Sequence, residues 1–202
     1  MRSSIVAMLV VALFGAAGAI YFVTKNRYVP DGKVRPGNYA SEPDLVKLRA
    51  QATAGDAAAQ LWLYMLLQDS PEGRQWLDRA VATGYPPALH SLASLYMLQG
   101  PEKQREARDL LQTAASKGYY VVISELANCL NEATCGQRDG SEALAWTIIS
   151  HNLAGKGKLD GNSLYSLESE LRKSLTPTQI RYAEQQALQF ITNDFEKDSK
   201  IN

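Results

Sequence analysis

The sequence predicts an all-α protein built from stacked pairs of helices. A phrase with fixed internal spacing occurs three times, beginning at Gly55, Gly84 and Gly118, so the copies lie 29 and then 34 residues apart. A repeat of this length is typical of helical arrays that bury a continuous core between neighbouring units. Valine and isoleucine are scattered and never alternate over the length of a strand.

Each copy of the phrase predicts the first helix of a unit. A small residue follows the glycine by four positions, leucine follows it by eight, and a large apolar residue follows it by twelve. Residues at this spacing share one face of a helix. The small residues are Ala59, Ala88 and Val122, the leucines are Leu63, Leu92 and Leu126, and the large residues are Leu67, Tyr96 and Leu130.

A second helix is predicted before each following glycine. Large residues at two successive positions and small ones four and five positions later form its packing face. These residues are Trp76, Leu77, Ala80 and Val81 before Gly84, and Leu110, Leu111, Ala114 and Ala115 before Gly118. A glycine just past a helix end adopts the left-handed conformation at no steric cost. In the third unit Trp146 precedes Gly155 by nine residues instead of eight, which predicts a distortion there.

A last helix is predicted from Pro177 onward. Thr176 and Gln179 form a capping box around Pro177 at the first helical position. An apolar stripe follows, made of Ile180, Ala183, Ala187, Phe190 and Ile191. The terminal unit of a helical array exposes an apolar end, and this helix is expected to cover it.

These motifs resemble Sel1-like repeats, a branch of the tetratricopeptide-type solenoids. The GDAAAQ opening at Gly55 and the segments EGRQWLDRAVATG and EARDLLQTAASKG carry the resemblance, which extends over residues 44–157. Residues 175–187 are similar to the helix that often closes such arrays. The resemblance implies a right-handed superhelical solenoid of helix-turn-helix repeats with a C-terminal capping helix.

The composition fits a single helical domain and argues against nucleic acid as a partner. The 202 residues are 46% apolar, with 21 basic and 21 acidic side chains. A formal net charge of zero lacks the basic footprint on which nucleic-acid binding depends.

The N-terminal segment is predicted to be separate from this domain. Residues 5–23 carry no charge and are long enough to span a bilayer. Residues 1–25 are therefore either a membrane anchor or a signal peptide, for which Ala17-Gly18-Ala19 resembles a cleavage site. We expect a flexible linker at 26–42, the repeat domain at 43–193 and a polar, frayed tail at 194–202.

Two signals bear on the compartment, and they point in opposite directions. Basic residues after the apolar segment outnumber those before it, which favours a cytoplasmic domain. Cys129 and Cys135, however, lie at the end of one helix and in the following loop, where they could form a disulfide that persists in an oxidising compartment. The alternative is two unpaired thiols, with Cys129 in the core. We expect a periplasmic domain, either anchored to the inner membrane or secreted.

No catalytic or cofactor-binding motif stands out. The two histidines have ordinary explanations: His90 lies one position past a core residue, and His151 is expected near helix-end carbonyls. The nucleophile elbow, zinc-protease and phosphate-loop patterns do not occur. The sequence thus predicts a protein without catalytic residues, cofactor or metal.

The surface left outside the core is the predicted binding site. Aromatic residues beside polar ones are typical of binding surfaces. The predicted partner-binding residues are Trp62, His90, Ser91, Ser94, Glu125 and Asn128, with Tyr85, Tyr119 and Tyr120 at the turn edge. The alternative is that Trp62 and the tyrosines pack against adjacent units.

The predicted function is non-enzymatic binding of one protein partner in the bacterial periplasm. The family resemblance implies a specific version, an immunity protein that neutralises a lipase toxin delivered by type VI secretion. An envelope adaptor or scaffold is the alternative. A β-lactamase-like hydrolase, also suggested by the family, is disfavoured because no serine-base pair such as S-x-x-K stands out.

Overall fold

A computed structural model describes residues 42–68, 70–159 and 164–199. The chain divides into two compact units, Met1–Leu48 and Arg49–Asn202. In the first unit only the start of one helix is described, where Val46 is exposed and Leu48 is buried. The predicted anchor or signal peptide at 1–25 and the linker lie outside the described residues, apart from Glu42.

The described part of the chain is helical, and no strand occurs in it. Helices adjacent in sequence pack as pairs, with one 3₁₀ turn at Tyr120–Val122. The helices are α1 (Glu42–Thr53), α2 (Ala57–Leu66), α3 (Pro71–Ala82), α4 (Pro86–Met97), α5 (Pro101–Ser116), α6 (Ile123–Glu132), α7 (Gly140–Gly155), α8 (Tyr165–Ser174) and α9 (Pro177–Ser199).

The burial pattern confirms the predicted register of the first helices, α2, α4 and α6. The small residue four positions after each glycine and the leucine eight positions after it are buried in all three copies. The glycines that open these copies have positive φ angles: 99° at Gly55, 72° at Gly84 and 88° at Gly118. The all-α array of helix pairs is therefore confirmed.

The third unit departs from the predicted register at its closing turn. The glycine with positive φ is Gly157 (φ 70°), whereas Gly155 is the last residue of α7. Counting back eight residues from Gly157 reaches Ile149, not Trp146, and Ile149 is buried. The predicted equivalence of Gly155 with the earlier turn glycines is thus wrong by two positions, because α7 extends further than the pattern indicates.

Local sequence explains how α2 and α3 come together. Asp56 caps α2 by accepting hydrogen bonds from the backbone of Ala58 and Ala59, and Ser70 caps α3 through Gly73. A β-carbon on Gly73 would lie 2.1 Å from the carbonyl oxygen of Leu67. Glycine is therefore required at this position for close packing of the two helices.

Helix α7 forms the centre of the C-terminal half. It packs against α6, α8 and α9, and its buried residues lie all around its axis, from Ala143 to Leu153. A helix that is apolar on all sides is typical of a protein interior. The ring of Trp146 on α7 meets Phe190 on α9 edge to face, with centroids 5.4 Å apart.

Helix α9 covers α7 as predicted and extends further than predicted. Gln179 N–H donates to Thr176 Oγ1, and Thr176 N–H donates to Gln179 Oε1, which completes the expected capping box. Ala183 and Ala187 are buried. The tail expected to fray from residue 194 is instead helical to Ser199, and Asp194 is buried because it binds other side chains, described below.

Within residues 42–68, 70–159 and 164–199, no helix has the length and apolar character needed to cross a bilayer. The apolar segment at 5–23 falls outside these ranges.

Candidate functional site

The predicted surface residues occupy repeated positions on the first helices, and we call them the first-helix surface: Trp62, His90, Ser91, Ser94, Glu125 and Asn128. Seven positions after each turn glycine stand Trp62, Ser91 and Glu125, all half-buried. Ten positions after it, Ser94 and Asn128 are exposed. The repeat therefore places a half-buried row beside a more exposed one.

One contact joins two successive first helices across this surface. Nε2 of His90 on α4 lies 2.7 Å from Oε2 of Glu125 on α6. The ring of Tyr119 stands beside His90, with ring centroids 5.8 Å apart. These three side chains connect the second and third units.

The serines of the surface bind their own helix. Ser91 Oγ donates to the carbonyl of Pro87, and Ser94 Oγ donates to that of His90, each at 3.0 Å. Trp62 is half-buried, and its side chain already takes part in a contact. The predicted set thus forms a fixed surface, in which Ser94 and Asn128 are the exposed members.

A groove that the sequence does not predict lies between α5, α7 and α9. Its volume is about 460 Å³. The second helices of two successive units and the last helix supply its walls. Its lining residues are Arg108, Gln112, Asp139, Glu142, Ala145, Trp146, Ile149, Tyr182, Gln186, Gln189, Phe190 and Asn193.

Glu142 organises one wall of this groove. Its carboxylate accepts hydrogen bonds from Gln112 and from the indole N–H of Trp146, and it forms an ion pair with Arg108. The residue lies in the first turn of α7, where the helix dipole favours a negative charge. Asp139 accepts a hydrogen bond from the Glu142 backbone N–H at 2.9 Å and so caps the same helix.

The facing wall is a polar stripe on α9. Tyr182, Gln186, Gln189 and Asn193 line the groove and are exposed, Tyr182 by 54%. Their spacing places them on one side of the helix. We call these four residues the α9 stripe.

One signal for the Glu142 cluster is present in the sequence. Glutamate stands four residues before tryptophan twice, at Glu72–Trp76 and Glu142–Trp146, and each tryptophan N–H donates to its glutamate. Residues at this spacing are neighbours on a helix. The groove itself has no such signal, because it depends on how α9 is placed against α7.

A second polar cluster holds the far end of α9. The hydroxyl of Tyr120 donates to Asp194, and Lys158 Nζ donates to Asp194 Oδ2 at 2.7 Å. Burial would raise the pKa of Asp194, but the bonds from Lys158 and Tyr120 outweigh it and lower that pKa below its ordinary value. Burial, together with the bond to Asp194, raises the pKa of Tyr120 to about 12. Tyr120, predicted at the turn edge of the binding surface, instead anchors α9.

His151 differs from its predicted role. It lies inside α7 and not at the helix end, because the helix continues to Gly155. Its Nδ1 is 2.6 Å from Glu168 Oε2, and its ring stacks on Tyr165 with centroids 4.2 Å apart. The residue therefore links α7 to α8.

The cysteines are joined, and the described residues offer no obvious metal centre. A disulfide connects Cys129 to Cys135, with Cα atoms 5.3 Å apart, and it closes the turn that follows α6. In the part of the chain that the structure describes, no group of three or more histidine, cysteine, aspartate or glutamate side chains could hold a metal ion.

The comparisons with known proteins show a distant likeness at the level of structure. No protein-family model and no curated protein matches the chain significantly. Among solved structures, the chain is similar to a protective antigen present in uropathogenic Escherichia coli strains, whose crystal structure displays an SLR fold. The TM-score is 0.46 at 18% sequence identity, and the match covers 74% of this chain and 41% of the antigen.

The chain thus spans less than half the length of that neighbour. The neighbour has the Sel1-like repeat fold that the sequence resemblance implies. The arrangement of helix pairs in this chain is established by its own coordinates, and a likeness at this distance says nothing about what the chain binds.

Proposed function

We propose that this chain is a non-enzymatic module that binds one protein partner through the first-helix surface. The observation that carries the proposal is the His90–Glu125 contact at 2.7 Å, because it fixes two successive helices beside the exposed Ser94 and Asn128. A surface held in place before binding loses little conformational entropy when a partner docks.

The distribution of small and large residues also favours a protein partner. Ser94 and Asn128 are short and exposed, while Trp62, His90 and Glu125 beside them are half-buried. A partner could therefore approach the helices closely and contact aromatic and charged groups at the same place. Aromatic anchors surrounded by polar residues are typical of the centre of protein interfaces.

We further propose that the module works in the periplasm. The Cys129–Cys135 disulfide supports this compartment, since structural disulfides persist where the environment is oxidising. The apolar segment at 5–23 supports export through an anchor or a signal peptide.

The specific version of the proposal is immunity against a lipase toxin delivered by type VI secretion. It is supported by the sequence resemblance to Sel1-like repeats and by the apolar segment at 5–23. The competing version, an envelope adaptor, uses the same surface on a different partner, and one experiment separates the two.

The experiment is co-expression with candidate periplasmic lipase effectors from the same genome, scored by survival and by co-purification. We expect the chain to restore growth and to purify with one effector. Ser94→Arg and Asn128→Arg should each abolish rescue, because a long charged side chain would obstruct the surface without entering the core. Gln185→Arg, at an exposed position on α9, is the matched control and should rescue fully.

Two results would contradict the proposal at different levels. If no effector is neutralised and pull-down recovers envelope-assembly proteins in a way that Asn128→Arg disrupts, the immunity version is wrong and the adaptor version holds. If partner binding is indifferent to both arginine variants, the first-helix surface is not the binding site.

A further inference from the structure

We propose that the first-helix surface recognises a basic segment of its protein partner, which presents lysine or arginine side chains to α6 and an apolar side chain to the end of α4. This inference rests on the proposed function and names the chemistry of the partner. Three observations carry it: the distribution of charge between first and second helices, two glutamates on α6 that no lysine or arginine compensates, and an exposed leucine at the end of α4.

The first helices have no basic side chain other than His90, although the whole chain has a formal net charge of zero. None of α2, α4 and α6 contains a lysine or an arginine, and their acidic residues are Glu125 and Glu132, both on α6. The second helices α3 and α5 are different, because they carry acidic and basic side chains in equal number: Glu72, Arg74, Asp78, Arg79, Glu102, Lys103, Arg105, Glu106, Arg108 and Asp109. The first helices are therefore the acidic side of a chain that is neutral as a whole.

The two glutamates lie on one face of α6. Glu125 and Glu132 stand seven and fourteen positions after Gly118, and Asn128 lies between them. Residues at this spacing share a side of the helix, and seven residues correspond to a rise of about 10 Å. Asn128 and Glu132 are exposed, and the side chain of Glu125 is 33% exposed. Helix α6 thus presents two carboxylates to a partner, with an exposed amide between them.

Neither carboxylate is paired with a lysine or an arginine among the described residues. His90 Nε2 contacts Oε2 of Glu125, and Oε1 has no hydrogen-bond partner in the part of the chain that the structure describes. Arg138, in the turn after α6, donates instead to Asn131 Oδ1 at 3.0 Å. A cationic side chain of a partner would therefore find an acceptor held in place at Glu125 and a second one at Glu132.

The end of α4 adds an apolar contact beside these charges. Leu98, the C-cap residue of α4, is 87% exposed. It stands fourteen positions after Gly84 and so occupies in the second unit the position of Glu132 in the third. A single exposed leucine is common on protein surfaces. The charges therefore identify the partner, and Leu98 only adds to its affinity.

The spacing on α6 defines the complementary segment. A partner helix lying along α6 would present two basic residues seven positions apart, since both helices rise about 1.5 Å per residue. An apolar residue on the side that faces α4 would contact Leu98. Opposite charges of this kind speed association and select the partner, and their effect weakens as salt screens them.

The test uses a phage library of single-helix peptides with randomised surface positions, selected at low salt on the full-length oxidised protein. We expect enriched peptides to carry lysine or arginine at two positions about seven residues apart. One such peptide is labelled, and its Kd is measured by fluorescence anisotropy. The double variant Glu125→Gln and Glu132→Gln should raise the Kd at least about tenfold and reduce its dependence on salt. Glutamine at 125 keeps an oxygen that can accept from His90, so the link between α4 and α6 is preserved.

Two further variants separate local charge from net charge and from shape. Glu102→Gln with Glu170→Gln is the matched control, because it removes two exposed carboxylates from α5 and α8, and its Kd should equal that of wild type. Asn128→Asp adds a carboxylate of nearly the same size between the two glutamates and should lower the Kd. Leu98→Ala should raise the Kd by a smaller factor than the glutamate double variant.

The inference is wrong if no peptide is enriched, if the enriched peptides lack basic residues, or if the control double variant weakens binding as much as the Glu125 and Glu132 variant. The same variants are also scored in the rescue and co-purification assay described above. If Ser94→Arg and Asn128→Arg abolish partner binding there, while the glutamate double variant and added salt leave it unchanged, the partner is not basic. The first-helix surface would then remain the binding site, so the two proposals fail separately.

Discussion

Two clusters of arginine, glutamate and tryptophan, one in each half of the array, differ in how far their side chains are buried. Near the N-terminal end, Arg49 of α1 pairs with Glu72 of α3, which also accepts from the Trp76 indole. In the C-terminal half, Arg108 pairs with Glu142, which accepts from Trp146. In both places an arginine of an earlier helix, α1 or α5, pairs with a glutamate in the first turn of a later helix, α3 or α7.

The difference lies in exposure and in the number of donors. The Glu72 side chain is 43% exposed, whereas that of Glu142 is 19% exposed and has Gln112 as a further donor. Helix α9 lies beside the second cluster and completes the groove, and among the described helices none covers the first cluster in the same way. A surface ion pair contributes little to stability, so the comparison predicts that only the covered glutamate, Glu142, contributes measurably to the free energy of unfolding.

The positions of the two clusters within their helices also differ. Trp76 precedes its turn glycine, Gly84, by eight residues, while Trp146 precedes Gly157 by eleven. The second cluster therefore lies about one turn farther from the closing turn of its unit, because α7 (Gly140–Gly155) is longer than α3 (Pro71–Ala82). Only the second tryptophan, Trp146, packs against a ring of α9, that of Phe190, within the described residues.

The largest expected effect comes from removing the tryptophans. Trp146→Ala and Trp76→Ala should each cost about 3–5 kcal/mol in the free energy of unfolding, because both rings are buried. Only Trp146→Ala should also increase amide hydrogen exchange along α9. Urea unfolding and hydrogen-exchange mass spectrometry measure the two effects. Equal amide exchange of α9 in the two variants would contradict the prediction that only Trp146 supports α9.

Next in size is the disulfide, which closes the turn after α6 and precedes the Asp139 cap. Replacing both Cys129 and Cys135 with alanine should cost about 2–3 kcal/mol, the expected effect of opening a loop this short in the unfolded chain. Wild type in reducing agent is the control and should approach the stability of the variant. A variant as stable as the oxidised wild type would show that the bridge contributes nothing.

The two glutamates provide the direct test of the comparison. Glu142→Gln should lower the free energy of unfolding by about 1–2 kcal/mol, since it weakens charge-assisted hydrogen bonds in a partly buried site. Glu72→Gln should change it no more than an ordinary surface substitution. Thermal unfolding of both variants measures the difference. Similar losses of stability at the two positions would show that the proximity of α9 does not strengthen the Glu142 interactions.

The smallest expected effect is a pH dependence at the end of α9. Because its pKa is lowered in the folded state, Asp194 stabilises the fold above the ordinary value of 3.8, and this contribution is lost as the pH falls through the lowered pKa. Tyr120, whose pKa is raised to about 12, stabilises the fold below its ordinary 10.0, and this is lost as the pH rises towards 12.

Asp194→Asn should therefore flatten the acid limb of a plot of unfolding free energy against pH, and Tyr120→Phe should flatten the alkaline limb. Asp109→Asn, which removes an exposed carboxylate on α5, serves as the control for general charge effects. Unchanged limbs in both test variants would show that this cluster does not hold α9.

Much of the fold follows from local sequence. The spacing of Gly84, Ala88 and Leu92 specifies a turn, a close helix approach and a core position, and each of these depends on a few neighbouring residues. The cap on α9 is local in the same sense, since Thr176 and Gln179 bind each other. Such features are predictable because short-range sterics and hydrogen bonding decide them.

The features that sequence did not predict depend on contacts between distant residues. The burial of Asp194 requires Tyr120 and Lys158, which lie 74 and 36 residues earlier. The repeat pattern predicts the closing turn of the third unit at Gly155, but the turn glycine is Gly157. Helix α7 lies in the interior and continues to Gly155, two residues further than the pattern indicates. The contact of His90 with Glu125 spans 35 residues, so the sequence could place both on the surface but could not pair them.

The position of α9 along the chain has a consequence for biosynthesis. Proteins are made from the N-terminus, so α5 and α7 leave the ribosome before the helix that closes the groove beside them. Until α9 docks, the nascent chain presents Trp146 and Ile149 on an uncovered face of α7, where a chaperone or a neighbouring copy could bind. Docking of α9 both hides this face and creates the groove, so the groove exists only in chains in which α9 has folded against α7.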